Sequence, residues 1–162
     1  MTEEKGFNVV DPLEIGDLSD VQKSTIPPTS NVKLRINKVT NTQNEAGTFR
    51  QLNCSFKLED GVIVNGELKY RGAMIFTRVP YFADPEIYTK DFFKTKQHLL
   101  LLKLLLKAVE DDVTNVKITD EYLESLTNKI ILGNVRQIKD NLTGEIINTV
   151  NGFKALPESE RV

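Results

Sequence analysis

Hydrophobic and polar residues alternate at every second position in two stretches of the first half of the chain, residues 31–37 and 49–58. A period of two predicts β-strands with one buried face and one polar face. The inward positions are Val32, Leu34, Ile36, Leu52, Cys54, Phe56 and Leu58. In the first strand, the intervening positions are basic or amide residues, which predicts a positively charged outer face.

A third strand is predicted after Glu59-Asp60-Gly61, because Asp-Gly tolerates the positive φ that a tight hairpin requires. Its sequence is "VIVNGELKYRGAMIFTRV", residues 62–79. Gly66 and Gly72 lie inside this return arm, where glycine indicates a bulge or strong coiling of the strand.

The pattern changes to helical spacing after an aromatic, proline-containing loop. Residues 90–110, which include "HLLLLKLLLKAV", are apolar around most of a helix and predict one long, largely buried helix. Residues 119–126 predict a short helix that begins on a Thr119 cap. Two further strands follow, "KIILGNVRQIKD" and "EIINTVNGFKAL", on either side of an "NLTG" turn.

Three strands, a helical insertion and two strands are the order of the five-stranded OB-fold barrel, a mainly β fold with its helices between strands 3 and 4. Another small α+β domain is the alternative. The 162 residues suffice for one domain with one core. We expect the OB-fold domain to span residues 26–157. Residues 1–25 would form a partly ordered acidic N-terminal arm, and residues 158–162 a short C-terminal tail.

Charge is segregated along the chain, although the net charge is only −2. Residues 1–30 carry a net charge of −4, residues 31–109 a net charge of +6, and the remainder −4. A local basic patch can bind nucleic acid whatever the overall charge. The alternative is a solvated surface of mixed charge. A further hypothesis is that the acidic arm lies over the basic face.

Catalytic chemistry is not indicated by the sequence. The lone His98 lies beside leucines and is interpreted as a core-edge histidine, while Cys54 is interpreted as a buried structural thiol. The acidic run at residues 110–112 is interpreted as a solvated helix end, although it keeps a metal-dependent nuclease open as a minor alternative. Phosphate-binding loops are absent from the sequence. We expect no enzyme activity, no cofactor and no metal.

Proteins that bind single-stranded nucleic acid combine a positively charged groove with exposed aromatic rings, because cations neutralise the phosphates and unstacked bases stack on the rings. The outward-facing positions of the predicted sheet supply both, Lys69 and Arg71 being assigned to the third strand. The alternative is that Phe49 packs under a loop and that Tyr81 and Phe82 hold the helices on the barrel. The candidate DNA-binding residues are Lys33, Arg35, Phe49, Gln51, Lys57, Lys69, Arg71, Arg78, Tyr81, Phe82, Arg136 and Lys139.

The chain resembles a family of small phage-encoded single-stranded DNA-binding proteins with an OB fold. The resemblance rests on "IPPTSNVKLRI", on "VNGELKYRGAMIFTRVPYF" with "HLLLLKLLLKAV", and on "LTNKIILGNVRQIKD" with "GEIINTVNGFKAL". It covers residues 26–156. The sequence departs from the family at Ser30, where glycine is frequent, and in its acidic arm. It also lacks the long acidic tail with which bacterial single-strand binders recruit partners.

The resemblance implies a non-enzymatic protein of phage replication or recombination that coats single-stranded DNA with little sequence preference. Replication or recombination proteins are the implied protein partners, and a homo-oligomer is an option. With no leader and no apolar span of membrane length, the cytoplasm of the host cell is the expected location and no membrane contact is expected. The alternative function is a protein-interaction module that uses the leucine-rich helix and the aromatic loop.

Overall fold

The computed structural model describes residues 12–19 and 25–160. The fold is mainly β, with five long strands in one antiparallel sheet and a separate two-stranded hairpin. The strands are β1 Thr29–Gln43, β2 Phe49–Leu58, β3 Val62–Val64, β4 Glu67–Lys69, β5 Met74–Ala83, β6 Ile130–Lys139 and β7 Ile146–Lys154. The helices are α1 Asp91–Lys94, α2 Leu100–Ala108 and α3 Asp120–Ser125, with 3₁₀ turns at Gln97–Leu99 and Glu158–Glu160.

The large sheet has the strand order β5-β2-β1-β6-β7. The 15-residue β1 is long enough to pair with β2 through its second half and with β6 through its first half. Its register shifts between Ile36 and Lys38 against β2 and between Thr29 and Val32 against β6. Such irregularities bend a strand and increase its twist, so the sheet curls around one face.

The hydrophobic core fills the concave face of this curled sheet. Helix α2 packs against β7 and β5 and buries its apolar stripe there, including Leu105 and Leu106. The sheet is not closed, because no backbone ladder joins β5 to β7 within the described residues. The two edges meet instead through a side chain, since the Val150 N–H donates to Thr77 Oγ1 at 2.8 Å.

The predicted return arm at residues 62–79 is wrong, because it contains two separate elements. Asn65 has φ of 52° and Gly66 has φ of 81°, which makes Asn-Gly the two-residue turn of the β3–β4 hairpin and not a bulge. Gly61 permits the entry into this hairpin, since a Cβ there would lie 2.4 Å from the Lys69 carbonyl oxygen. The third long strand begins only at Met74.

The predicted helix at residues 90–110 is also interrupted. Lys96 has φ of 63°, a left-handed conformation that ends α1 and separates it from the 3₁₀ turn and α2. The Thr95 hydroxyl donates back to the Asp91 carbonyl at 2.6 Å, a local bond that competes with helix continuation. Leu100 is half exposed, so the segment is less buried than its composition predicts.

The short helix predicted at residues 119–126 is confirmed as α3. The Thr119 side chain caps it by accepting a hydrogen bond from the Tyr122 N–H at 3.1 Å. From within α3, the Tyr122 hydroxyl donates to the carboxylate of Asp111, which lies in the loop before the helix. The loop between α2 and α3 is therefore tied to the helix that follows it.

Both chain ends are described only in part. Residues 12–19 contain neither helix nor strand and are exposed, whereas the rest of the predicted arm up to residue 24 lies outside the described residues. At the other end, Glu160 in the final 3₁₀ turn lies 3.2 Å from Lys33 Nζ. In the described part of the chain, no helix combines the length and apolar character needed to cross a membrane.

Candidate nucleic-acid interface

A groove of about 820 Å³ lies between the outer face of β1, β2 and β5 and the β6–β7 hairpin. Its charged lining includes three cations, Lys38, Arg78 and Lys139, and one acid, Asp140. Phe76 stands in the same groove with 65% of its surface exposed. We refer to this feature as the basic groove.

Two rows of outward side chains cross the three strands that form the floor of the basic groove. Ser55 on β2 is the register partner of Lys38 on one side and of Phe76 on the other. In the next row, Asn53 is the partner of Thr40 and of Arg78. Directly opposite side chains in antiparallel strands lie about 5 Å apart, so each row brings a cation within reach of an amide or hydroxyl neighbour. An aromatic ring and two cations thus share one face.

Sequence reasoning missed Lys38 and Phe76. Lys38 follows the bulge between Ile36 and Lys38, which shifts the alternation and turns the lysine outward instead of inward. Phe76 was missed because the third strand was begun at the wrong residue. The alternation of buried Ile75, Thr77 and Val79 with exposed Phe76 was the available signal.

The β6–β7 hairpin forms the second wall of the basic groove and carries two exposed apolar side chains near its tip. Ile138 is 46% exposed and Leu142 is 92% exposed. The Asp140 carboxylate shapes the turn by accepting hydrogen bonds from the Leu142 N–H at 3.1 Å and from the Thr143 hydroxyl at 3.2 Å. Lys139 adds a positive charge to this wall.

Lys33 and Arg35 lie on the first strand, as predicted, but both are paired with acids. Arg35 Nε donates to Glu59 Oε1 at 3.0 Å, and Arg35 Nη1 donates to the Asn128 carbonyl at 3.2 Å. The hydrogen bond from Arg35 lowers the pKa of Glu59. Lys33 Nζ lies 3.6 Å from Asp60, and its hydrogen bond to Glu160 raises its pKa. Their positive charge is therefore offset locally.

The predicted aromatic contacts are engaged within the protein. The Phe49 ring lies 5.4 Å from the Tyr88 ring, so it packs under the loop after β5. The Tyr81 hydroxyl donates to Asn41 Oδ1 at 2.6 Å. The Phe82 ring lies 5.4 Å from the Arg50 guanidinium carbon and is 39% exposed.

Lys69 and Arg71 do not lie on the third long strand, and that assignment is wrong. Lys69 ends β4, and Arg71 lies in the loop before β5, because the Asn65-Gly66 turn folds this stretch into a separate hairpin. Neither residue lines the basic groove.

The remaining candidates lie at the margins of the sheet's outer face. Lys57 is exposed and is the register partner of Arg35, while half-buried Gln51 is the partner of Pro80. The Arg136 guanidinium donates to the Val135 carbonyl at 2.9 Å and to Ser30 Oγ at 3.4 Å. Among the twelve candidates, Arg78 and Lys139 are the two that line the basic groove.

The candidates for reactive chemistry are buried. Cys54 is 1% exposed, and burial raises the pKa of its thiol to about 12, which leaves it protonated at neutral pH. His98 is buried against the Phe93 ring, at 5.1 Å between centroids. Across residues 12–19 and 25–160, no cluster of three or more His, Cys, Asp or Glu side chains could hold a metal ion.

No protein-family model matches the chain, and no curated protein matches it.

Proposed function

We propose that this protein binds single-stranded DNA in the basic groove, without catalysis and with little sequence preference. The single observation that carries the proposal is the exposed Phe76 ring on a strand face that also presents Lys38 and Arg78. Each base stacked on an aromatic side chain contributes about 1–3 kcal/mol, and cations along the groove neutralise the phosphates.

The proposed fold is an OB-type barrel in which the β3–β4 hairpin is an insertion. Without that hairpin, the five long strands have the order third-second-first-fourth-fifth, and the helices lie between the third and fourth strands. This is the strand order of an OB barrel whose last seam, between the third and fifth strands, is joined through Thr77. OB folds bind oligonucleotides on the face of strands 2 and 3, beside the loop between strands 4 and 5. The basic groove is lined by the second and third long strands and by the turn between the fourth and fifth, which supports the proposal.

Single-stranded DNA fits this groove better than duplex DNA does. Phe76 offers a flat face, and only an unpaired, unstacked base can cover it. Ile138 and Leu142, which are exposed near the tip of the β6–β7 hairpin, give a second surface against which a base can lose contact with water. In a duplex, the base faces are already stacked on each other. Membership of the phage replication and recombination family is proposed on the sequence resemblance.

The test is fluorescence anisotropy of a labelled thirty-base oligo(dT) against the matching duplex, at low and moderate salt, with gel filtration of the same sample. We expect salt-sensitive binding of the single strand and much weaker binding of the duplex. Equal affinity for both would contradict base stacking, and binding of neither would refute the function.

A second candidate function is a protein-interaction module that uses the helical segment. It is favoured by two side chains in this segment, Phe92 and Leu100, which are 55% and 50% exposed. Exposed apolar side chains of this size are typical of contact surfaces when they are contiguous. This function would be supported if the protein did not bind DNA and eluted as a tight dimer in gel filtration. The variants Phe92→Ser and Leu100→Ser should then disrupt the dimer.

A further inference from the structure

Residues 12–19 present apolar and acidic side chains in turn. Leu13 is 79% exposed, Ile15 64% and Leu18 59%, and the carboxylates of Glu14 and Asp17 lie between them. Removing such side chains from water is favourable by about 25 cal/mol per Å² of apolar surface. A short segment with three apolar side chains and two acids is therefore suited to a groove that is apolar and positively charged.

The chain that leads from this segment joins the fold on the β6–β7 hairpin. Ile26 N–H donates to Asn148 Oδ1 at 2.7 Å, and the Ile26 carbonyl accepts from Asn148 Nδ2 at 2.8 Å and from Gln137 Nε2 at 3.1 Å. Asn148 lies between Ile147 and Thr149 on β7, and these two neighbours line the groove, so the Asn148 side chain faces the opposite side of the strand. The arm is thus anchored on the β6–β7 hairpin itself.

The tether is long enough for the segment to reach the groove. From Ser19 to Ile26 there are seven peptide links, and an extended chain spans about 3.3–3.6 Å per residue, for a maximum of about 24 Å. A packed layer of sheet is about 10 Å thick, so this length is enough to pass from one face of the β6–β7 hairpin to the other. In the structure the segment is exposed and contributes no lining residue to the groove, which remains open.

The surface of the basic groove complements the segment in charge and in apolar character. Lys38, Arg78 and Lys139 supply positive charge opposite the two acids. Phe76, Ile138 and Leu142 supply exposed apolar surface for the three aliphatic side chains. Lys33 and Arg35, in contrast, already have acidic partners in the fold, which makes the strand face around them a poorer target.

We propose that residues 12–19 dock into the basic groove of their own chain and compete with the ligand for it. The docking stands on the segment, its anchor and the groove alone, whereas competition with single-stranded DNA rests on the proposed function. A short tether gives an effective concentration in the millimolar range, so even a weak contact is substantially populated. If two-thirds of the molecules are closed, the apparent affinity for DNA falls about threefold.

Paramagnetic relaxation in the full-length protein tests the docking without DNA. A nitroxide is attached at Ser19→Cys, since Cys54 is 1% exposed and does not react in the folded protein. We expect broadening of the amide signals of Phe76 and Lys139 and no broadening of Lys103 on α2, which lies outside the groove. The matched variant Leu13→Ser/Ile15→Ser/Leu18→Ser should lose this broadening while the fold stays intact, because all three side chains are exposed.

Isotope mixing separates the chain's own groove from that of a second copy. One sample mixes ¹⁵N chains that carry no nitroxide with ¹⁴N chains that carry it, and the other contains ¹⁵N chains that carry the nitroxide themselves, diluted with unlabelled chains. Broadening in the mixed sample alone would overturn docking in cis. Absence of broadening in both samples would also overturn it. Broadening in cis with no affinity for oligo(dT) would keep the docking and refute the DNA-binding function. If the segment docks in cis and the protein binds oligo(dT), the triple serine variant should bind oligo(dT) about threefold more tightly at low salt. Unchanged affinity would overturn the competition.

Discussion

The Oγ1 atoms of Thr77 and Thr149 lie 3.1 Å apart, where the two edge strands of the curled sheet, β5 and β7, meet. The Thr77 oxygen also accepts the Val150 N–H at 2.8 Å. Thr77 is 5% exposed, so water has little access to this contact. A single hydroxyl therefore takes the place of a backbone ladder between β5 and β7.

Thr77→Val should lower the free energy of unfolding by about 1–2 kcal/mol, because it leaves a buried backbone N–H without its acceptor. Urea unfolding measures the change. The control is Thr149→Val, which removes the hydroxyl pair but keeps the acceptor for Val150 and should cost about 0.5 kcal/mol. Equal losses in both variants would show that the N–H bond contributes nothing to holding the β5 and β7 edges together.

Phe76→Ala should weaken oligo(dT) binding about tenfold, since the loss of one stacked base costs about 1–3 kcal/mol. Anisotropy titration at constant salt measures the effect. Phe92→Ala is the matched control, because this ring is also exposed but lies on α1 and outside the basic groove. If the two variants lose affinity equally, stacking on the β5 face is refuted.

Lys38→Ala and Arg78→Ala should each reduce the slope of log affinity against log salt by about 0.7, the value for one phosphate contact on a single strand. Lys33→Ala and Arg35→Ala change the net charge by the same amount but remove cations that are paired with acids. The slope should change less in these two controls. The same slope change in all four would mean that net charge, and not position in the groove, governs binding.

The Arg35–Glu59 pair should contribute stability that depends on pH. Because the hydrogen bond from Arg35 lowers the pKa of Glu59 in the folded protein, the contribution is present above the unfolded pKa of this carboxyl and is lost as pH falls through the folded value. Glu59→Gln should therefore unfold at lower urea than the parent at pH 7. The difference should shrink at about pH 3, below the usual glutamate range. A difference that stays constant with pH would assign the effect to packing.

Local sequence patterns predicted several elements well. The inward faces of β1 and β2 followed from alternation, and Leu34, Ile36 and Phe56 are fully buried. The Thr119 cap located α3 because the capping bond is made within four residues. These features depend on neighbours in sequence, and periodicity and propensity report on such neighbours.

Features that depend on distant contacts were not predicted. Lys96 and Asn65 adopt positive φ, which few non-glycine residues do, and the sequence pattern around them continued smoothly through both breaks. The acidic partners of Lys33 come from positions 60 and 160, so its charge could not be judged from the strand alone. Phe76 was missed because its strand began at Met74, after a hairpin that alternation does not distinguish from a longer strand.

The amino-acid sequence alone predicted the mainly β character, the two alternating strands, the capped helix and the segregation of charge between the acidic arm and the basic middle. It did so because alternation, capping and composition are local properties of the chain. Tertiary contacts set which of the described cations lie beside acids, which aromatic rings are exposed and where the groove lies. Those outcomes depend on strand register and on ion pairs between residues far apart, and one bulge before Lys38 is enough to move a side chain from the core to the groove.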